Sequence, residues 1–202
     1  MKTTILTIAI ALITAFGISR SSYAATTGKQ EVSTMLTSVN NISEIEVHGN
    51  VQLYVTTGNI EQVKVYNDYY AEDALVQEQN GVLRITSYNT EKLVVWVIVT
   101  DLSKLSAYDS AEVKSFGKFS AIDVNIALYN NASAKLDIDA NTATISLNDR
   151  AKADLSGSVT EGKLQYARSS YLNTTNFAAA SLTKTEIPGR MECKRPVELA
   201  SL

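Results

Sequence analysis

Leu105-Ser106-Ala107-Tyr108-Asp109-Ser110-Ala111 aligns with Ile126-Ala127-Leu128-Tyr129-Asn130-Asn131-Ala132. Two further stretches fall on the same template, Ile145-Ser146-Leu147-Asn148-Asp149-Arg150-Ala151 and Leu164-Gln165-Tyr166-Ala167-Arg168-Ser169-Ser170. Their first residues are 21, 19 and 19 positions apart. Each stretch opens with two apolar residues one position apart, passes a polar corner and reaches a small residue. Two positions later stands an apolar or small residue, at Val113, Ala134, Ala153 and Leu172. A period near 20 with alternating apolar positions marks a stacked β architecture in which each repeat is one coil. The pattern predicts an all-β fold, a β-solenoid or β-helix-like stack of coils over residues 102–186. Ile126, Leu128, Ile145, Leu147 and Leu164 should share its core. A row of Ala111, Ala132, Ala151 and Ser170 predicts a corner where neighbouring coils approach closely.

Upstream lies a strand-rich section. Ile45 and Val47 alternate into a turn at His48-Gly49-Asn50, and Val51, Leu53 and Val55 follow at period two. After Thr57-Gly58-Asn59, Val63 and Val65 continue the pattern. Ala71 to Gln79 breaks it, and Glu72, Asp73, Ala74 and Leu75 suit a short helical turn ended by Asn80-Gly81. A strand with Leu83 and Ile85 inward comes next. Leu93-Val94-Val95-Trp96-Val97-Ile98-Val99 is too short to span a bilayer. It reads as a strand covered on both sides, inside the sheet between the N-terminal strands and the first coil, with Trp96 at least partly covered. An exposed sticky surface is the alternative, against which stands the aggregation hazard of a flat uncovered strand.

Residues 1–24 read as a secretory signal peptide: Lys2 leads, Ile5 to Ile18 is apolar, and Ser22-Tyr23-Ala24 supplies small residues before the cut. Residues 25–39 are polar and read as a flexible leader, 40–187 as the folded domain, and 188–202 as a loose tail after Pro188 and Gly189. Losing the signal removes Lys2 and Arg20 and no acid, which takes the net charge from −3 to −5. No basic cluster remains, so nucleic acid and anionic lipid are poor partners, and no membrane insertion is expected once the signal is cut. Cys193 is the only cysteine, so an intramolecular disulfide is impossible and packing alone must hold the domain.

This layout resembles the GIN-domain adhesin family of exported Bacteroidetes proteins, over residues 40–187. Ile45-Glu46-Val47-His48-Gly49-Asn50-Val51-Gln52-Leu53 is similar to the family's alternating start, and Leu83-Arg84-Ile85 and Val97-Ile98-Val99-Thr100-Asp101-Leu102 resemble its middle strands. Where the family often has Ser-Gly-Ala-Ser corners, this chain has Asp109-Ser110-Ala111, Asn131-Ala132-Ser133 and Asp149-Arg150-Ala151. Asn and Asp accept left-handed backbone better than other non-glycine residues. The resemblance implies a β-solenoid-like fold, an adhesive role and no catalytic residues.

Read for chemistry, the residues offer little to an enzyme. His48 is the only histidine and sits in a predicted turn, so no nucleophile–His–acid set can be built. Asp109 and Asp149 share a corner position with Asn130 between them, and Asp137, Asp139 and Asp154 lie near in sequence. They lack the spacing of calcium-binding repeats, and turns favour Asp and Asn for local hydrogen bonding. No metal or cofactor is implied. Tyr108 and Tyr129 occupy equivalent positions in adjacent coils, where they could steady one another or offer ring faces to a sugar or an apolar partner. Tyr108, Asp109, Tyr129, Asn130 and Asp149 are therefore the candidate binding residues. The expected function is an exported, non-enzymatic binding or adhesion module, periplasmic, surface-bound or secreted. Its partner would be a glycan or protein, and its oligomeric state stays open. The alternatives are a carbohydrate-active enzyme, signalled by carboxylates converging in a groove, and an envelope protein that self-assembles through its coil ends.

Overall fold

The structure, a computed structural model, describes residues 33–36, 41–66 and 74–188. The signal peptide and Cys193 lie outside the described residues. Those described form thirteen strands and no helix: β1 (Ser33–Leu36), β2 (Glu44–Gly49), β3 (Val51–Thr57), β4 (Gln62–Tyr66), β5 (Ala74–Gln79), β6 (Val82–Ser87), β7 (Leu93–Val99), β8 (Lys104–Ala107), β9 (Glu112–Ser115), β10 (Phe119–Leu128), β11 (Ser133–Leu147), β12 (Lys152–Ala167) and β13 (Tyr171–Ile187). All belong to one mixed sheet. Its path runs β1-β4-β7-β3-β9-β11-β10-β8-β2-β6-β5, with β12 and β13 joined beyond β11.

The sheet curls strongly into a half-barrel, and the reason is visible in β11. Its first residues pair with β9 (Ser133↔Glu112) while its last pair with the end of β10 (Leu147↔Leu128). One strand thus serves both limbs of the curl. Sequence neighbours β2 and β3 lie in opposite limbs, β2 between β6 and β8 and β3 between β7 and β9. Inside the curl, a single apolar cluster runs from Ile42 to Phe177. The strict alternation of β3 and β7, buried at every second residue, shows one face turned to that core.

Pairing along the C-terminal limb is parallel with offsets equal to the sequence spacing. Leu105 stands beside Ile126, Ile126 beside Ile145, and Ile145 beside Leu164. Ile126, Leu128, Ile145, Leu147 and Leu164 are all buried. Ala111, Ala132 and Ala151 are fully buried at successive corners, as expected where main chains pack tightly, whereas Ser170, the fourth of the row, is half-buried. Beyond β12 the register slips by one residue between Asp154 and Ser156. Lys184 therefore stands beside the core residue Leu164, and Glu186 beside Tyr166.

Three readings need correction. Residues 74–79 form β5 rather than part of a helical turn, antiparallel to β6. Asn80 and Gly81 both take positive φ (56° and 80°), the two-residue turn that closes a hairpin between alternating runs. Residues 71–73 are outside the described set. Within the segment read as a leader, Ser33–Leu36 pairs with β4. Finally, β7 lies between β3 and β4, so β3 and not β7 borders the first corner strand, β9. Its second face, with Val94, Trp96 and Ile98, is half-covered rather than sealed.

Candidate binding edge

The chain crosses between the two limbs through stacked corners, and these carry the candidate residues. Three of the turns are closed alike: Ala111 N–H donates to Tyr108 C=O, Ala132 to Tyr129, and Ala151 to Asn148 (3.0–3.1 Å). The second residue of each is left-handed, Asp109 (φ 62°), Asn130 (φ 59°) and Asp149 (φ 56°), and Gly49 holds the same place in the first corner (φ 82°). The glycine missing from three corners is thus replaced by the residue types that bear this conformation at least cost.

Each of these side chains bonds to the neighbouring corner. The Asp109 carboxylate accepts from Gly49 N–H at 3.2 Å through one oxygen and from Asn130 Nδ2 at 3.0 Å through the other. Asp149 accepts from Asn130 N–H at 3.1 Å. Main chain reinforces the ladder: Asn131 N–H donates to Asp109 C=O and Arg150 N–H to Asn130 C=O, both at 2.9 Å. Arg150 Nε donates to Asn131 Oδ1 at 3.1 Å, and the Ser169 hydroxyl donates to Asp149 C=O. Together with Ser110, these residues line an open polar depression of about 620 Å³.

Beside it runs an aromatic ladder. Tyr108 and Tyr129 stack with centroids 4.7 Å apart and planes within 3°. His48 stacks on the other face of Tyr108 at 4.3 Å, also within 3°. The histidine read as a turn residue is thus the first ring of the ladder. The signal was its place directly before the Gly49 corner, as Tyr108 stands before Asp109. Both faces of Tyr108 are engaged within the protein, so that ring turns its edge outward, while Tyr129, the last ring of the ladder, stacks through one face. Burial, and next the neighbouring Tyr129, push the Tyr108 phenol above its ordinary value.

All five sequence-predicted residues come together on this edge. Asp109 and Asp149 line one depression, but Asn130 stands between them and bonds to both. Their carboxylates act as acceptors that fix adjacent turns. Among the described residues, no three His, Cys, Asp or Glu side chains group as a metal site requires. A second surface group was not anticipated: Tyr54, Tyr66, Trp96 and Phe116 cluster on the outer face of β3, β4, β7 and β9. The alternation that puts Leu53 and Val55 inward also puts Tyr54 outward, but only the β3–β7 register shows that it meets Trp96.

Residues 41–187 match the sequence family described as "Putative auto-transporter adhesin, head GIN domain". The chain belongs to this family. Its GIN domain is similar in fold to a "putative lipid binding protein" from Parabacteroides distasonis (TM-score 0.61, 12% identity, 77% of this chain and 78% of that one). It is also similar to a "putative adhesin" from the same organism (TM-score 0.56, 14% identity, 78% of each chain) and one from Parabacteroides merdae (TM-score 0.55, 10% identity, 77% of each). No curated protein matches the chain. At these identities the likeness is one of fold.

Proposed function

We propose that this GIN domain is an exported adhesion module that holds an envelope or extracellular partner without transforming it, through the corner edge. The supporting observation is the row Gly49–Asp109–Asn130–Asp149, in which equivalent polar groups recur once per strand and bond to one another. Strands lie about 4.8 Å apart, so the row offers hydrogen-bonding groups at a fixed short interval. A partner that also repeats, such as a glycan chain, can meet several of them together, and weak contacts then add through multivalency. Offsets of 19–21 residues between paired strands support reading residues 102–186 as solenoid-like coils, the scaffold that keeps the row straight. Family membership supports the adhesive role and a place in the cell envelope.

The test compares the wild-type domain with a Tyr108→Ala, Tyr129→Ala double variant and with Asp149→Ala. Folding is confirmed by circular dichroism, and binding is measured on arrayed glycans and isolated envelope components. Loss of binding in the variants is expected. Unchanged binding would remove the edge from consideration, and turnover of any polysaccharide would turn the Asp109–Asp149 depression into a candidate active site.

A further inference from the structure

The outer face of the limb built from β4, β7, β3, β9 and the start of β11 carries a row of a different kind. Lys64 stands beside Trp96, Trp96 beside Tyr54, Tyr54 beside Lys114, and Lys114 beside Lys135. Five strands at about 4.8 Å each make this row roughly 19 Å long. Tyr54 and Trp96 stack at 4.6 Å with planes 24° apart, Phe116 leans on Trp96 at 5.1 Å, and Tyr66 meets it edge-on at 6.5 Å. Lys64 Nζ sits 4.7 Å from the Tyr66 ring centre, and Lys114 Nζ 6.0 Å from that of Tyr54.

Cross-strand aromatic pairs steady many sheets, and that accounts for Tyr54 and Trp96. It does not account for Phe116, which lies past the end of β9 and is 60% exposed. The adjoining Gly117 has open space where a side chain would be. A hollow of about 320 Å³ opens here, lined by Tyr54, Lys114, Phe116, Lys135, Asp137 and Ser156 among others. Lys114 shares Glu112 with Lys92, while Lys64 and Lys135 have no ion pair among the described residues. In a chain of net charge −3, Lys114 and Lys135 outnumber Asp137 in this hollow, with Glu112 beside Lys114 and Asp154 beside Lys135 at its rim.

We propose that this face is a second binding site, distinct from the corner edge, and that it takes an acidic polysaccharide. The apolar face of a sugar ring would rest on Phe116 and the Trp96–Tyr54 pair, and its carboxylate or sulfate would meet Lys114 and Lys135. Ser156 and Asp137 would bond the sugar hydroxyls, a use that an acyl chain has no groups to match. The hollow also suits a ring better than the flat contact a bilayer makes. The row's length accommodates several sugar units and gives the ligand a direction across the strands.

Trp96 is the only tryptophan, so its fluorescence reads this site directly. Oligogalacturonate and heparin oligosaccharides are titrated into the full chain, beside a neutral oligosaccharide and vesicles of phosphatidylglycerol in phosphatidylcholine. A saturable change with at least one acidic glycan is expected, weakened by salt and absent with the neutral one. Lys114→Gln with Lys135→Gln, and separately Phe116→Ser, should weaken it about tenfold or more. The Tyr108→Ala, Tyr129→Ala variant should bind these probes as wild type does, which separates this site from the edge. Binding to neither acidic glycan, binding unaltered in both the lysine and the Phe116 variants, or binding to vesicles alone would overturn the proposal. So would concentration-dependent self-association abolished by Phe116→Ser, since a second copy would then be the occupant.

Discussion

Replacing Asn130 tests whether the corners are held by backbone conformation or merely decorated with polar groups. Asn130 has φ 59° and donates through Nδ2 to Asp109 at 3.0 Å. Asn130→Gly keeps the left-handed turn and loses that exposed hydrogen bond, a cost of about 0.5–1 kcal/mol. Asn130→Ala loses the same bond and adds the clash of Cβ in left-handed backbone, about 1–2 kcal/mol more. The bond from Asn130 N–H to Asp149 survives in both, so the difference isolates the backbone term. In a domain of this size 1 kcal/mol moves Tm by about 2–4 °C, so alanine should melt roughly 2–8 °C below glycine. Asn130→Asp adds an instructive third case. It keeps the left-handed preference but sets a carboxylate oxygen where Nδ2 lies 3.0 Å from the Asp109 carboxylate, with Asp149 on the other side, so its penalty should shrink with added salt. Urea unfolding followed by circular dichroism gives all three values. If alanine proved no worse than glycine, the argument that φ selects Asn and Asp here would fail.

Three further outcomes can be checked alongside. Leu147→Ala, at a fully buried position, should cost about 2–5 kcal/mol by urea unfolding; a loss below 1 kcal/mol would mean that the core relaxes around it. Gly157→Ala would set a Cβ 2.1 Å from the Ile138 carbonyl oxygen in backbone with φ 99°, so either soluble yield or Tm should fall steeply, and a wild-type melt would contradict that geometry. Burial, aided by Tyr129, raises the Tyr108 phenol, so the folded state favours its neutral form. The associated stability is present below the unfolded value near 10 and is lost as pH climbs through the folded one. In an ultraviolet pH titration, Tyr108→Phe should remove a late-titrating phenol; an unchanged alkaline limb would sink the assignment.

How much of this was legible depended on range. Alternation at period two fixed which residues of β3 and β7 face the core, because each buries one face only, and it did so piecewise in β10 and β11, where the buried parity changes part-way along the strand. The 19- and 21-residue spacing fixed the neighbours of Ile126 and Ile145, because parallel register repeats the sequence offset. Asp109, Asn130 and Asp149 could be placed on one edge for the same reason. The helical reading of Ala74 and Leu75 erred because short acidic and alanine-rich runs carry little periodicity, and the Asn80-Gly81 turn outweighed their helix propensity. Pairings 60 residues apart, such as Ile45 with Leu105 and Leu53 with Val113, left no local trace, and these join the N-terminal strands to the corner-bearing strands in each limb. The place of His48 in the ladder depends on the first of those registers, and the Tyr54–Trp96 contact on the pairing of β3 with β7.

The charged residues of β13 bear on how large such a molecule can become. Stacked parallel strands have no inherent end: each exposes main-chain groups that could receive another, and fibres grow in this way. Here the file Ile126, Ile145, Leu164 closes in Lys184, and the file Leu128, Leu147, Tyr166 closes in Glu186. Both terminal residues are exposed, and the Lys184 ammonium donates to Thr174 within its own strand. A further strand laid against β13 would have to cover an ammonium and a carboxylate where every earlier layer covered hydrocarbon. The one-residue slip in β13 sets this barrier, since in unbroken register the two files would have ended in Thr183 and Thr185. An irregularity in pairing thus works as a punctuation mark, giving an open-ended pattern a last word.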